Sequence, residues 1–263
     1  MRAAHWPVHM NSATLAAMES TALGLAGMLL VLLAGWLGGA CGIGGVLMVP
    51  ALAAIEHVAP HKSIAASSVA FAVMGALAFL SFRHERRVVF GQGVLMLSVA
   101  PGAALGALLV HSIPAHQLMA GLGLLLITSG MHGFMRPRQQ EAPAPAPLVI
   151  GCIGIVVGLG SALTGTGGAV LLIPILLAMR QPLQPTIAAS IAIQLPIGGS
   201  GVVGHLVAGS IDVILAAQLS FFLVAGAIAG RWCADRVPVQ LLRHAVTLLL
   251  IAVGAWILVR LPN

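Results

Sequence analysis

Charge is what this chain has least of. Only 7% of its 263 residues are Asp, Glu, Lys or Arg, against about a quarter in a soluble domain, while 59% are hydrophobic. Mean hydropathy is +1.07. A water-soluble globular fold is excluded, and the lipid bilayer is the expected solvent. Cysteine is also scarce. Cys41, Cys152 and Cys233 lie in or beside apolar segments without C-x-x-C spacing, which argues against a disulfide framework or a zinc site and leaves them as packing residues. No carboxylate stands at the middle of an apolar run: Glu56, Glu85 and Asp235 fall at segment ends, and Asp212 opens one. That counts against cation transport and against an acidic proton relay.

What is present is a series of ten apolar segments, at roughly 21 to 38, 44 to 56, 63 to 82, 89 to 111, 116 to 135, 148 to 163, 167 to 179, 186 to 208, 212 to 232 and 238 to 260. Eight or so are long enough to span. The second and seventh fall short of the about 20 residues a crossing helix needs. Each follows its predecessor through glycines, so each pair forms either a re-entrant hairpin or two tilted, interrupted helices. In both cases the chain returns to the side it left. An N-terminal signal peptide with a lipidation site at Leu37 to Cys41 is disfavoured, because Gly38 stands where a large apolar residue is needed and the same glycine break recurs in the second half.

The formal net charge of +6 is spread singly or in short clusters between apolar runs, so it reads as topology and not as a nucleic-acid face. Arg83, Arg86, Arg87, Arg136, Arg138, Arg180, Arg231, Arg236 and Arg243 fall on one side of the membrane; Arg2, Lys62 and Arg260 fall on the other. The expectation is a multi-pass protein of the plasma (inner) membrane with the larger set cytoplasmic and both termini extracytoplasmic.

Comparison of the two halves gives the strongest signal. Gly42-Ile43-Gly44-Gly45-Val46-Leu47-Met48-Val49-Pro50 returns as Gly165-Thr166-Gly167-Gly168-Ala169-Val170-Leu171-Leu172-Ile173-Pro174, with one inserted residue. Ile64-Ala65-Ala66-Ser67 returns as Ile187-Ala188-Ala189-Ser190; Gly102, Gly106, Pro114 and Gly130 return as Gly226, Gly230, Pro238 and Gly254. The expected organisation is an N-terminal extension over 1–20, a first transmembrane repeat over 21–135, a Pro/Ala-rich cytoplasmic linker over 136–147 and a second repeat over 148–263. The expected fold is an all-α polytopic membrane protein of two repeats, each a Gly-broken short hairpin plus three transmembrane helices. Three is odd, so the second repeat starts on the opposite face and the repeats are inverted. That arrangement places a substrate site near the bilayer midplane, between halves that rock to give alternating access.

Irregular backbone at membrane depth must be satisfied by protein or water. The breaks at Gly42, Gly44, Gly45 and at Gly165, Gly167, Gly168 therefore mark a cavity into which helix N-termini point amides, an environment suited to an anion. The simpler alternative for any single glycine is close helix packing. Around the breaks stand the hydroxyls of Ser67, Ser68, Thr164, Thr166 and Ser190 and the amide of Gln194. Such hydroxyls are often bonded to the preceding turn of their own helix. Gln194 aligns with Phe71, so the site is asymmetric there. His205 is the most central imidazole, of a type that can titrate near neutrality, but a structural role near a helix end is the favoured reading.

The stretch Gly38 to Pro50 followed by Ala65-Ala66-Ser67-Ser68, repeated as Gly158 to Pro174 followed by Ala188-Ala189-Ser190, resembles the TauE/SafE, or sulfite exporter, family of membrane permeases. The resemblance implies movement of small oxidised-sulfur anions such as sulfite or an organosulfonate, with no cofactor and no nucleotide-binding domain. Gly42, Gly44, Gly45, Pro50, Gly165, Gly167, Gly168 and Pro174, with Ser67 and Ser190, carry the match; Cys41 and the region Gln194-Leu195-Pro196 depart from it. The expected partners are a small anion and membrane lipid, with no nucleic acid and no metal. Two other readings compete. One is an anion channel. The other is an intramembrane serine protease using Ser200 of Gly198-Gly199-Ser200-Gly201, which His205, five residues on in the same helix, is badly placed to activate.

Overall fold

The structure, a computed structural model, describes residues 23–42, 44–55, 58–81, 93–133, 143, 145–234 and 239–260. The N-terminal extension, most of the proposed linker, the arginines at 83, 86, 87, 136, 138 and 236 and the carboxylates Glu56, Glu85 and Asp235 lie outside the described residues.

The described residues are helical, with no strand among them. In chain order the helices are α1 (Leu25–Cys41), a 3-10 turn at Gly44–Leu47 leading into α2 (Met48–Ile55), α3 (Pro60–Ser81), α4 (Gly93–Leu109) with a 3-10 turn at Val110–Ser112, and α5 (Ala115–Gly133). The second half holds α6 (Pro147–Thr164), α7 (Ala169–Ala178), α8 (Leu183–Ala192), α9 (Gln194–Val207), α10 (Val213–Ala234) and α11 (Val239–Arg260). The segment expected as one span over 186 to 208 is one apolar stretch, Pro185–Val207, with a one-residue turn at Ile193. Pro196 supplies the reason: it has no N–H to donate to the carbonyl of Ala192, and its ring crowds that carbonyl.

Among the described residues four helical stretches are long and apolar enough to cross a membrane: Gly93–Ser112, Pro147–Thr164, Pro185–Val207 and Val213–Cys233. Leu25–Ala40, Ala115–Met131, Ala169–Ala178 and Leu250–Val259 are apolar but shorter within the described residues. At about 1.5 Å per residue, neither α2 nor α7 reaches across alone.

The distribution of polarity fits lipid surroundings. Leu97, Leu148, Phe221 and Val259 are 69–85% exposed, while Ser67, Ser161, Thr166, Ser190, Gln194 and His205 are buried. The exterior is apolar and the polar side chains turn inward, as expected when hydrocarbon surrounds the bundle. Cys152 is exposed; it lies on the outer face and is not the packing residue expected.

Packing follows the small residues, which allow close backbone approach where burying apolar surface from lipid yields little. A Cβ at Gly226 or Gly230 of α10 would meet the carbonyl of Leu32 or Trp36 of α1. In the other pairing, a Cβ at Gly102 or Gly106 of α4 would meet the carbonyl of Ile155 or Leu159 of α6. Gly35 of α1 faces the Leu223 carbonyl and Gly158 of α6 faces the Val99 carbonyl. Every residue in one set has its counterpart 123 or 124 positions along in the other. The central crossings behave alike: Gly75 of α3 faces Leu195 of α9 while Gly198 of α9 faces Ala72 of α3, and Gly123 of α5 faces Gly254 of α11. Exchanging the two halves leaves this pattern of contacts unchanged.

Candidate functional site

Helix α1 ends because Gly42 turns into the left-handed region, at φ 79°, with its N–H donating to the Gly38 carbonyl at 2.9 Å. Helix α6 ends in the same way: Gly165 has φ 65° and donates to the Ser161 carbonyl at 2.8 Å. This is the αL termination that glycine permits at little steric cost. Beyond it the halves diverge. Gly167 and Gly168 are also left-handed, and Gly168 caps α7, its carbonyl accepting from Leu171 and Leu172 at 3.2 and 2.9 Å. In the first half a 3-10 turn precedes α2 instead.

All twelve residues expected at the site, Gly42, Gly44, Gly45, Ser67, Ser68, Thr164, Gly165, Thr166, Gly167, Gly168, Ser190 and Gln194, are buried. The breaks meet. A Cβ on Gly45 would lie 2.5 Å from the carbonyl oxygen of Thr166. Each break also touches the opposite half: at Gly42 a Cβ would stand 3.0 Å from Ser190 Oγ and 3.6 Å from Ile187, and at Gly165 it would stand 2.9 Å from Ser67 Oγ and 3.2 Å from Ile64. Ser67, Ser190 and the two glycines thus form a reciprocal set.

An aromatic ring lies at the meeting of the breaks. Phe71, 2% exposed, lies against both Gly45 and Gly167, where an added Cβ would come within 3.0 Å of its ring. A cavity of about 240 Å³ lies elsewhere, bordered by Leu95, Pro147, Leu176, Pro182 and Thr186. Its walls come from the ends of α4, α6, α7 and α8.

Most of the hydroxyls have their protons committed. Ser67 and Ser68 donate to the Ile64 carbonyl at 2.8 and 3.0 Å, Ser190 to that of Ile187 at 2.8 Å and Thr164 to that of Gly160 at 2.7 Å. Thr166 lies 3.0 Å from Thr164 through their hydroxyls. In this arrangement the four back-bonded groups offer lone pairs, not protons, to a ligand. Three buried polar atoms among the described residues have no partner: Oγ of Ser161 and Oε1 of Gln194 near the breaks, and Nε2 of His205 away from them. Such groups cost about 1–3 kcal/mol each when left unsatisfied, so they are the ones with most to gain from a ligand or water. Ser161 was not singled out from the sequence, although it stands one turn before Thr164 on the same helical face.

His205 does not reach Ser200. Its Nδ1 lies 3.3 Å from Nε2 of His111 and 3.3 Å from Oγ of Ser210, so the histidine that a serine hydrolase would need is engaged elsewhere. Asp212 has a local role, its Oδ1 accepting from the N–H groups of Ile214 and Leu215 at 3.1 Å each. Among the described residues no group of three or more His, Cys, Asp or Glu side chains is arranged to hold a metal ion.

Neither the curated proteins nor the solved structures compared with the chain give a match. A family model described as "Sulfite exporter TauE/SafE" matches residues 27–257, nearly the whole chain and both glycine breaks. With an all-helical bundle, an apolar exterior and inward polar groups, the chain is an integral, multi-pass membrane protein and belongs to the TauE/SafE sulfite exporter family of membrane transporters.

Proposed function

We propose that the protein is a secondary transporter for a small oxidised-sulfur anion, such as sulfite or an organosulfonate, working by alternating access between two inverted repeats. The substrate passes between the two glycine breaks, beside Ser67, Ser190, Thr166 and Gln194. The observation that carries this reading is the contact of Gly45 with the Thr166 carbonyl, since it brings two irregular backbone segments together inside the protein. Such segments are found at membrane depth where they line a substrate path. The equivalence of contacts on exchange of the halves supports the repeats, which run over 21–135 and 148–263 with a linker between them. The placement in the inner membrane with both termini outside rests on the count of basic residues.

The Phe71 ring between the breaks favours a carrier over an open pore, because it closes the path and has to move for an anion to pass. Among the described residues around it no carboxylate opposes an anion, and the unpartnered hydroxyl of Ser161 is free to donate to one. The test is uptake of labelled sulfite, thiosulfate and sulfoacetate into liposomes, by wild type and by Gly45→Leu, Gly168→Leu and Phe71→Ala. Saturable uptake with counterflow is expected of wild type, with loss of flux in the glycine variants. Phe71→Ala opens the path and raises leak. Unchanged saturable transport by folded glycine variants removes the breaks from the pathway.

A further inference from the structure

Three histidines far apart in the chain meet at one end of the bundle. His61 opens α3, His111 lies in the 3-10 turn after α4, and His205 lies in the last turn of α9. His61 and His111 are stacked with ring centroids 6.1 Å apart, and His111 and His205 meet edge to face at 5.4 Å. His111 Nε2, His205 Nδ1 and Ser210 Oγ form a triangle with sides of 3.2–3.3 Å. His111 is exposed, whereas His205 is 0% exposed and its Nε2 has no partner. One imidazole is therefore open at the surface of the bundle, and the next carries an unsatisfied nitrogen within it.

The cluster adjoins the proposed anion path. Along α9, Leu195, Gly198 and Gly201 face Gly75, Ala72 and Ser68 in turn, so α3 and α9 run antiparallel. His205 is one turn beyond Gly201, about 6 Å along the helix axis. It stands between the Ser67/Ser68 level and the bundle's end.

The contact sets a proton count. A hydrogen bond between His111 Nε2 and His205 Nδ1 needs one N–H and one lone pair. If His205 Nδ1 donates, His205 Nε2 is a bare lone pair and can take a proton without disturbing the contact. If His111 Nε2 donates, its own Nδ1 is free to take one. A second added proton would set N–H against N–H and break the pair. The pair thus accommodates one imidazolium, not two. Its other ionisable surroundings are His61 and the exposed Lys62 on α3, the exposed His116 at the start of α5, and Asp212, whose Oδ1 is occupied by the α10 amides. Glu56 lies outside the described residues. Among the described residues no carboxylate forms an ion pair with any of the three rings.

We propose that His111 and His205 form a single-proton site that fills when the anion binds, so that proton and anion occupy the carrier together. This rests on the anion-carrier reading above. A positive charge one helical turn from the path offsets the anion in a bundle with no buried cation among its described residues, and linkage requires the converse, that the anion draws the proton in.

The test uses thiosulfate and sulfoacetate, which, unlike sulfite, take up no proton near neutrality, with sulfite alongside. Their binding to the full-length protein in detergent is followed by calorimetry between about pH 5 and 8, the range in which histidine changes charge. A pH indicator in weak buffer records proton uptake. Wild type is expected to take up one proton per bound anion, with affinity falling about tenfold per pH unit above the midpoint. His205→Gln and His111→Gln should abolish the uptake and flatten the pH dependence, while binding at the alkaline end stays within about threefold of wild type. A merely structural role would lower affinity equally at every pH. If His205→Gln fails to fold, the exposed partner variant His111→Gln carries the comparison. Binding without proton uptake in wild type, or an unaltered pH slope in a folded variant, overturns the proton site alone. Failure of all three anions to bind at any pH overturns the anion-carrier reading and the coupling with it.

Discussion

Gly45 and the Thr166 carbonyl stand so close that a methyl group at residue 45 would lie 2.5 Å from the oxygen. A backbone-to-backbone approach of this kind joins the first break to the second and leaves no slack for a side chain at residue 45.

Gly45→Ala is therefore expected to destabilise the protein by about 1–3 kcal/mol, the usual range for overpacking. Gly199→Ala, where an added Cβ meets nothing within 4 Å, should be neutral or slightly stabilising, since alanine is the better helix former. Thermal unfolding in one detergent checks the pair. Equal shifts would refute the close approach.

Gly165 and Gly209 have nearly the same φ, 65° and 62°, but differ in surroundings. At Gly165 a Cβ would stand 2.6 Å from Val49, while at Gly209 it meets nothing within 4 Å. Alanine at 209 should cost only the backbone strain, about 1 kcal/mol. Alanine at 165 should cost distinctly more, and the difference measures the packing at the break.

Ser161 and Gln194 carry buried polar atoms without partners. Ser161→Ala and Gln194→Met are expected to leave stability unchanged or raise it by about 1 kcal/mol, because each removes an unsatisfied group. The same variants should shrink the thermal shift produced by sulfite. Ser190→Ala, which removes a hydroxyl bonded to its own helix, should lower stability by less than about 1 kcal/mol. A sulfite shift unaffected by both Ser161→Ala and Gln194→Met would take these residues out of the site.

Asp212 accepts two amide N–H groups at the start of α10. Asp212→Ala should lose about 1 kcal/mol and Asp212→Asn much less, as for other helix N-caps. Transport by Asp212→Asn should match wild type; a lost flux would give this carboxylate a role in transport that its hydrogen bonds do not suggest.

Glycine made much of the architecture legible in advance. A G-x-G-G run in an apolar segment has few other uses, and its return 123 residues later identified the places where α1 and α6 end. The same property hid Phe71. Its alignment with Gln194 marked an asymmetry, but whether a ring fills a gap or lines it depends on the separation of helices that are distant in sequence. The one-residue turn at Ile193 has its cause in Pro196, while hydropathy runs through it unbroken. His61, His111 and His205 could not be grouped at all, since only the pairing of α3, α4 and α9 brings them together. Hydroxyl identity was readable, but hydroxyl commitment was not: donation to the preceding turn is decided by side-chain rotamer.

The pairing of α1 with α10 bears on how the protein is made. Helix α1 rests its glycine face on a helix made much later, whereas α4 has its partner in the nearby α6. During synthesis α1 must wait in lipid, its smallest residues uncovered, until α10 has been inserted. Completion of the bundle is then a closing of an early surface by a late one, and truncations that remove α10 should leave the first half assembled incorrectly even though every residue of that half is present.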